Sequence, residues 1–102
     1  MAWRLVFTEQ YTRRAARFLR HHPDAASPYA KTLQLLQANP HHPSLRLHAL
    51  KGKLAGIHSV FINLTYRLKL EMLLTEHEIV PINVGGGSGI RVSGIAGQGG
   101  RR

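Results

Sequence analysis

Apolar residues change their spacing along the chain, and each change predicts a new element. Trp3, Leu5 and Phe7 alternate with Arg4 and Val6, the period of two of a short strand with a large apolar face. Tyr11, Ala15, Phe18 and Leu19 then fall at helical spacing, with Thr8 ahead of Glu9 as N-cap. This predicts a helix over 9–22, ended by His21-His22-Pro23, because proline disfavours helical geometry in the residue before it. Ser27-Pro28 opens a second helix over 28–38, a capping residue followed by proline at the first helical position. Tyr29, Leu33 and Leu36 form its apolar side, and Asn39-Pro40 ends it. Two helices joined so closely form an antiparallel hairpin.

From Leu45 the period returns to two. Leu45, Leu47 and Ala49 alternate with Arg46 and His48 before a Lys51-Gly52-Lys53 turn. Val60, Ile62 and Leu64 are set against Ser59, Phe61 and Asn63; Tyr66, Leu68, Leu70, Met72 and Leu74 are set against Arg67, Lys69 and Glu71. Each reads as a strand with one buried face. A last strand, Ile79 to Val84, contains Pro81, which removes a ladder donor and predicts an edge or a bulge. The expected fold class is α+β: an N-terminal strand, an antiparallel helical hairpin, then a mainly antiparallel sheet of three to four strands with the helices on one face.

Eight of the ten glycines lie in residues 85–102, a stretch with no aromatic residue. The expected organisation is one domain over 1–85 and a glycine-rich flexible tail over 86–102, because so much backbone entropy is not repaid by burial. The 102 residues exclude a multidomain enzyme, and the lack of cysteine excludes a disulfide framework, a thiol nucleophile and a cysteine zinc site. No apolar run approaches the length of a membrane span, and the N-terminus lacks a secretory signal, so a cytoplasmic protein without membrane attachment is expected.

The formal charge is +9, from 14 Lys and Arg against 5 Asp and Glu. Residues 1–70 carry 11 of those cations and only Glu9 and Asp24 as acids, so the body itself is basic. Such an excess favours a polyanion or an acidic protein partner. Arg13, Arg14, Arg17 and Arg20 lie along the first helix, where they face RNA, an acidic partner or water. The doublets His21-His22 and His41-His42 precede prolines at the helix ends and read as helix terminators; no metal site and no cofactor are expected. Gly85-Gly86-Gly87-Ser88-Gly89 is not followed by a Lys-Ser/Thr pair or a helix pattern, so it is no phosphate-binding loop.

The run Leu50-Lys51-Gly52-Lys53-Leu54-Ala55-Gly56, followed by Ser59-Val60 and then Tyr66-Arg67-Leu68, resembles the RelE/ParE superfamily of bacterial toxins, in particular its YafQ-like mRNA interferase branch. The resemblance covers about residues 1–85 and extends to Ile82-Asn83-Val84-Gly85 at the end of the last strand. It implies the toxin of a type II, plasmid stabilisation-like toxin–antitoxin system, with mRNA, the ribosome and a cognate antitoxin as partners in a hetero-oligomer. It also implies metal-independent cleavage of mRNA by attack of a ribose 2′-OH on the adjacent phosphate. Toxins of this branch carry a C-terminal histidine and a Val-Tyr pair, and Gly86 to Arg102 contains no histidine and no tyrosine. Impaired cleavage is therefore expected. The alternatives are a catalytically inactive toxin-like protein that binds antitoxin or nucleic acid, and a ParE-like inhibitor of DNA gyrase.

Cleavage of this type needs a group to take the 2′-OH proton, a donor for the leaving 5′ oxygen, and fixed cations against the charge building on the phosphorane. Arg67 matches the Tyr-Arg motif and projects from the polar side of its strand, where a guanidinium makes bidentate contacts to phosphate oxygens. Its bland alternative is an ion pair with Glu71. His48 stands where the YafQ-like branch often has a histidine and is the expected proton-transfer group, so Arg67 and His48 are the catalytic candidates. Lys51, Lys53 and Lys69 are the RNA-binding candidates. His58, in phase with Val60 and Ile62, reads as a partly buried histidine rather than a catalytic one.

Overall fold

The computed structural model describes residues 2–86. The glycine-rich stretch expected to be a tail lies, from residue 87 onward, outside the described residues. Strand β1 (Arg4–Leu5) leads into helix α1 (Glu9–His21), a 3-10 turn over Pro23–Ala25 and helix α2 (Ala26–Ala38). A second 3-10 turn, Pro43–Leu45, precedes β2 (His48–Ala49), and a third, Gly52–Leu54, separates β2 from β3 (His58–Phe61). Strands β4 (Tyr66–Leu73) and β5 (Glu78–Gly86) complete one sheet, ordered β1-β5-β4-β3-β2. All pairings are antiparallel except β1 with β5, which the helical hairpin makes parallel.

Both helices lie on one face. Thr8 caps α1 as expected, its Oγ1 accepting from the Tyr11 N–H at 3.1 Å. Tyr11, Ala15, Phe18 and Leu36 join Val60, Ile62, Leu68, Leu70, Ile79 and Val84 in a single core, with Leu33 partly buried against it. Each fully buried aliphatic side chain contributes about 1.5–3 kcal/mol. Tyr11 and Tyr29 tie the helices together, hydroxyl to hydroxyl, at 2.8 Å. Burial pushes the Tyr11 phenol far above its usual range, and the hydrogen bond with Tyr29 adds to that.

Several boundaries differ from the periodic pattern. Helix α2 begins at Ala26, with no side-chain cap from Ser27, because the chain passes from the Pro23–Ala25 turn straight into helix. Only His48 and Ala49 of the 45–49 stretch form a strand, since Leu45 ends a 3-10 turn and Arg46 takes a left-handed conformation (φ 51°). Leu64 and Leu74 sit in the β3–β4 and β4–β5 connections, 86% and 69% exposed, rather than on a buried strand face. Pro81 does mark a bulge: the register shifts between Lys69 and Leu70, where Asn83 and Pro81 are successive partners and Ile82 is skipped. Strand β5 runs on to Gly86, beyond the expected end at Val84.

Candidate functional site

Cross-strand partners share a face, so the register states what stands on the side away from the helices. One row across four strands reads His48, Ser59, Lys69 and Asn83. The next reads Phe61, Arg67 and Gly85. Val60, Leu68 and Val84 form the intervening row and point into the core. Two of the sequence candidates, His48 and Lys69, therefore flank the buried Ser59 on one row, and Arg67 stands two residues along β4 from Lys69.

Arg67 is held on one face and one edge. Its guanidinium carbon lies 3.5 Å from the centre of the Phe61 ring, and its Nη1 donates to the Asn63 carbonyl at 3.1 Å. Longer contacts, 3.5 Å and 3.4 Å, reach the Leu64 and Tyr66 carbonyls. The β3–β4 turn thus aims its own carbonyls at one edge of the guanidinium and leaves the other donors free. The ion pair with Glu71 does not form; among the described residues the one ion pair joins Arg4 to Glu78.

His48 is exposed, and its Nδ1 lies 3.1 Å from the Arg46 carbonyl oxygen. A carbonyl only accepts, so Nδ1 carries the hydrogen, and in the neutral imidazole Nε2 then keeps the lone pair that takes a proton. Lys69 is partly buried, and that burial pulls its ammonium below the usual lysine range. It remains a donor to phosphate oxygen with a proton less tightly held.

Lys51 and Lys53 are exposed in the β2–β3 connection, around the Gly52–Leu54 turn. This connection lies beyond His58, at the opposite end of β3 from Phe61 and Arg67. Four residues of strand separate the levels of Ile57 and Phe61, about 13 Å at the usual rise, so these lysines and Arg67 do not converge on one phosphate. His58 falls outside the site: it pairs with Leu70, is partly buried on the core side, and its Nδ1 is buried without a partner among the described residues.

Two residues of this face were missed by the sequence reading. Phe61 is an aromatic on the polar side of its strand, and Arg46 stacks on it with its guanidinium carbon 5.0 Å from the ring centre. The available signal was an aromatic out of phase with Val60 and Ile62, flanked across the sheet by a cation. Three of the four doublet histidines are engaged through Nδ1: His21 with the Arg17 carbonyl and His42 with Ser44 locally, and His22 with the Tyr66 hydroxyl across the fold. A groove of ≈ 640 Å³ between α1 and β5 is lined by Arg13, Arg14 and Arg17 over Phe18 and Val84. Neither His48 nor Arg67 reaches it, and Arg14 donates across it to the Ile82 carbonyl at 3.1 Å.

No protein-family model and no curated protein matches the chain in sequence. Solved structures do match it in shape. YafQ from E. coli strain BL21(DE3) superposes with a TM-score of 0.70 at 11% identity, over 88% of this chain and 99% of that one. The E. coli DinJ-YafQ toxin-antitoxin complex gives 0.69 at 12%, over 90% and 100%. RelBE2, a toxin-antitoxin complex from Mycobacterium tuberculosis, gives 0.63 at 21%, over 84% and 99%. The chain has the RelE-like toxin fold. The helix-free face of this fold carries His48, Lys69 and Arg67.

Proposed function

We propose that this chain is the toxin half of a toxin–antitoxin pair and cleaves ribosome-bound mRNA without a metal. The observation that carries the reading is the helix-free sheet face of a RelE-like fold, on which an imidazole with a free Nε2 shares a row with Lys69 beside an anchored Arg67. His48 Nε2 takes the proton of a ribose 2′-OH, whose oxygen bonds to the adjacent phosphorus as the bond to the 5′ oxygen breaks and that leaving oxygen takes a proton from water. Arg67 and Lys69 hold the phosphate oxygens as negative charge builds on them. Lys51 and Lys53, further along the sheet, bind the RNA backbone at neighbouring phosphates. A cytoplasmic antitoxin partner, in a hetero-oligomer like the DinJ-YafQ and YoeB-YefM complexes, belongs to the same reading.

Primer extension on a reporter mRNA, with and without ribosomes, tests it. Cuts are expected only with ribosomes, and Arg67→Ala is expected to lower their rate by ~10²–10³-fold, the effect of losing one well-placed charge-stabilising donor. Cleavage by the unaltered chain is expected to be slow, and a Gly-x-His-x-x-Val-Tyr ending after Val84 is expected to raise it. Intact message with antitoxin binding retained would replace this reading with that of a catalytically inactive binding protein. Inhibition of gyrase supercoiling would replace it with the ParE-like one.

A further inference from the structure

We propose that Arg46 is the positioning residue of this face and that, with Phe61 and Arg67, it forms a two-cation clamp for the phosphate backbone of single-stranded RNA. The inference rests on the reading that this face takes RNA, and it adds two residues and a geometry to it.

Arg46 contributes first through its backbone. It stands at the end of the Pro43–Leu45 turn with φ 51° and ψ 48°, a left-handed conformation that a side chain other than glycine adopts at a cost. That conformation belongs to the link from the 3-10 turn into β2, where the Arg46 carbonyl meets His48 Nδ1. The same residue that breaks the expected strand thus sets which imidazole nitrogen is free.

The side chain contributes second. Its guanidinium and that of Arg67 both pack on Phe61, at 5.0 Å and 3.5 Å from the ring centre, so their carbons are at most about 8.5 Å apart, the two distances taken together. Two like charges gathered on one ring repel each other. Among the described residues no carboxylate pairs with either, because the one ion pair is Arg4–Glu78 on the strand at the far edge of the sheet. The ring's quadrupole offsets part of the repulsion. A phosphodiester offers the rest, one anion with two free oxygens shared between two guanidiniums. RNA suits the pair better than an acidic peptide, because a nucleobase extends the Phe61–guanidinium stack while a carboxylate does not.

The test uses the full chain and a short 2′-O-methyl oligouridylate, which binds as RNA and has no 2′-OH to attack. Affinity is measured over a range of salt for the wild type, Arg46→Gln, Phe61→Leu and Phe61→Tyr. Glutamine keeps a non-glycine residue at the left-handed position, so the backbone cost is the same and only charge and stacking are lost. Arg46→Gln is expected to weaken binding several-fold and to reduce the slope of log affinity against log salt by about 0.7, one phosphate contact. Phe61→Leu is expected to reduce it further by freeing both guanidiniums, and Phe61→Tyr to restore it. Nitrogen-15 spectra of the wild-type chain should find the His48 hydrogen on Nδ1.

An unchanged slope in Arg46→Gln, or no binding of the oligonucleotide, would overturn the clamp. In the neutral imidazole of His48, a hydrogen on Nε2 in place of Nδ1 would overturn the backbone role. An oligoglutamate that binds as tightly, with the same loss in Arg46→Gln, would reassign the clamp to an acidic protein segment. Absent cleavage of ordinary mRNA, with the slope change intact, would remove the proposed activity and leave the clamp standing.

Discussion

Arg67 and Phe61 are direct partners across the β3–β4 pair, and the guanidinium sits over the ring with its carbon 3.5 Å from the centre. Stacking of this kind contributes about 0.5–1 kcal/mol at an exposed site. Its larger consequence is orientation, since the stack and the Asn63 carbonyl leave the guanidinium little freedom before RNA arrives. Arg67→Lys keeps the charge and loses both the plane and the fork. It is expected to recover little of the cleavage lost in Arg67→Ala, in single-turnover assays on ribosomes, while keeping most of the salt dependence of binding.

His48→Ala is expected to lower the single-turnover rate by ~10²-fold, within the usual range for a general base. RNA affinity should change little. An unchanged rate in the variant would assign the proton transfer to another group.

Lys53→Ala, remote from Arg67, is expected to leave the chemistry alone. It should weaken binding of every RNA sequence alike and reduce the salt slope by about 0.7. A loss of rate at saturating RNA would place this lysine at the reacting phosphate instead.

The Tyr11–Tyr29 pair makes stability sensitive to alkali. Below the ordinary phenol pKa of 10.0 the Tyr11 hydroxyl is neutral in both states, and its contribution is fully present. Above 10.0 the unfolded chain releases the proton and the folded chain holds it, so stability falls as pH rises. Lys69 acts in the opposite sense, because its lowered pKa makes the folded state gain as pH climbs toward 10.5. Tyr11→Phe is expected to cost about 1 kcal/mol near neutral pH and to flatten the alkaline loss, measured by urea unfolding at a series of pH values.

Leu36 and Leu68 are fully buried, whereas Leu64 is 86% exposed. Leu36→Ala or Leu68→Ala is expected to cost about 2–5 kcal/mol, a large share of the stability of a domain this size. Leu64→Ser should fall within about 0.5 kcal/mol of the wild type in the same denaturation experiment.

Both helices, the Thr8 cap, the bulge at Pro81 and the inward sides of β3 and β4 were legible in the chain, because each depends on spacing within one element. Tyr11, Phe18, Leu68 and Leu70 announce their burial by period alone. The strand ends were not legible at Leu64 and Leu74, which continue the alternation into turns; hydrophobic phase says which face a residue has and not where pairing stops. Nor did spacing reveal Arg46, whose left-handed backbone interrupts a run that alternates without a break.

By itself, then, the sequence determined a basic α+β chain with a helical hairpin on one face of a sheet, and it named His48, Arg67, Lys69, Lys51 and Lys53 as candidates. Only the tertiary structure decided which of them meet. Register places His48 and Lys69 on one row although 21 positions separate them in the chain, and it sends Lys51 and Lys53 to the other end of β3 although they follow His48 closely. The parallel seating of β1 beside β5 and the stacking of Arg46 on Phe61 were likewise decided there. Local spacing encodes the face a side chain takes within its own element. The neighbour it finds depends on long-range pairing, which is selected by burial of the whole core at once.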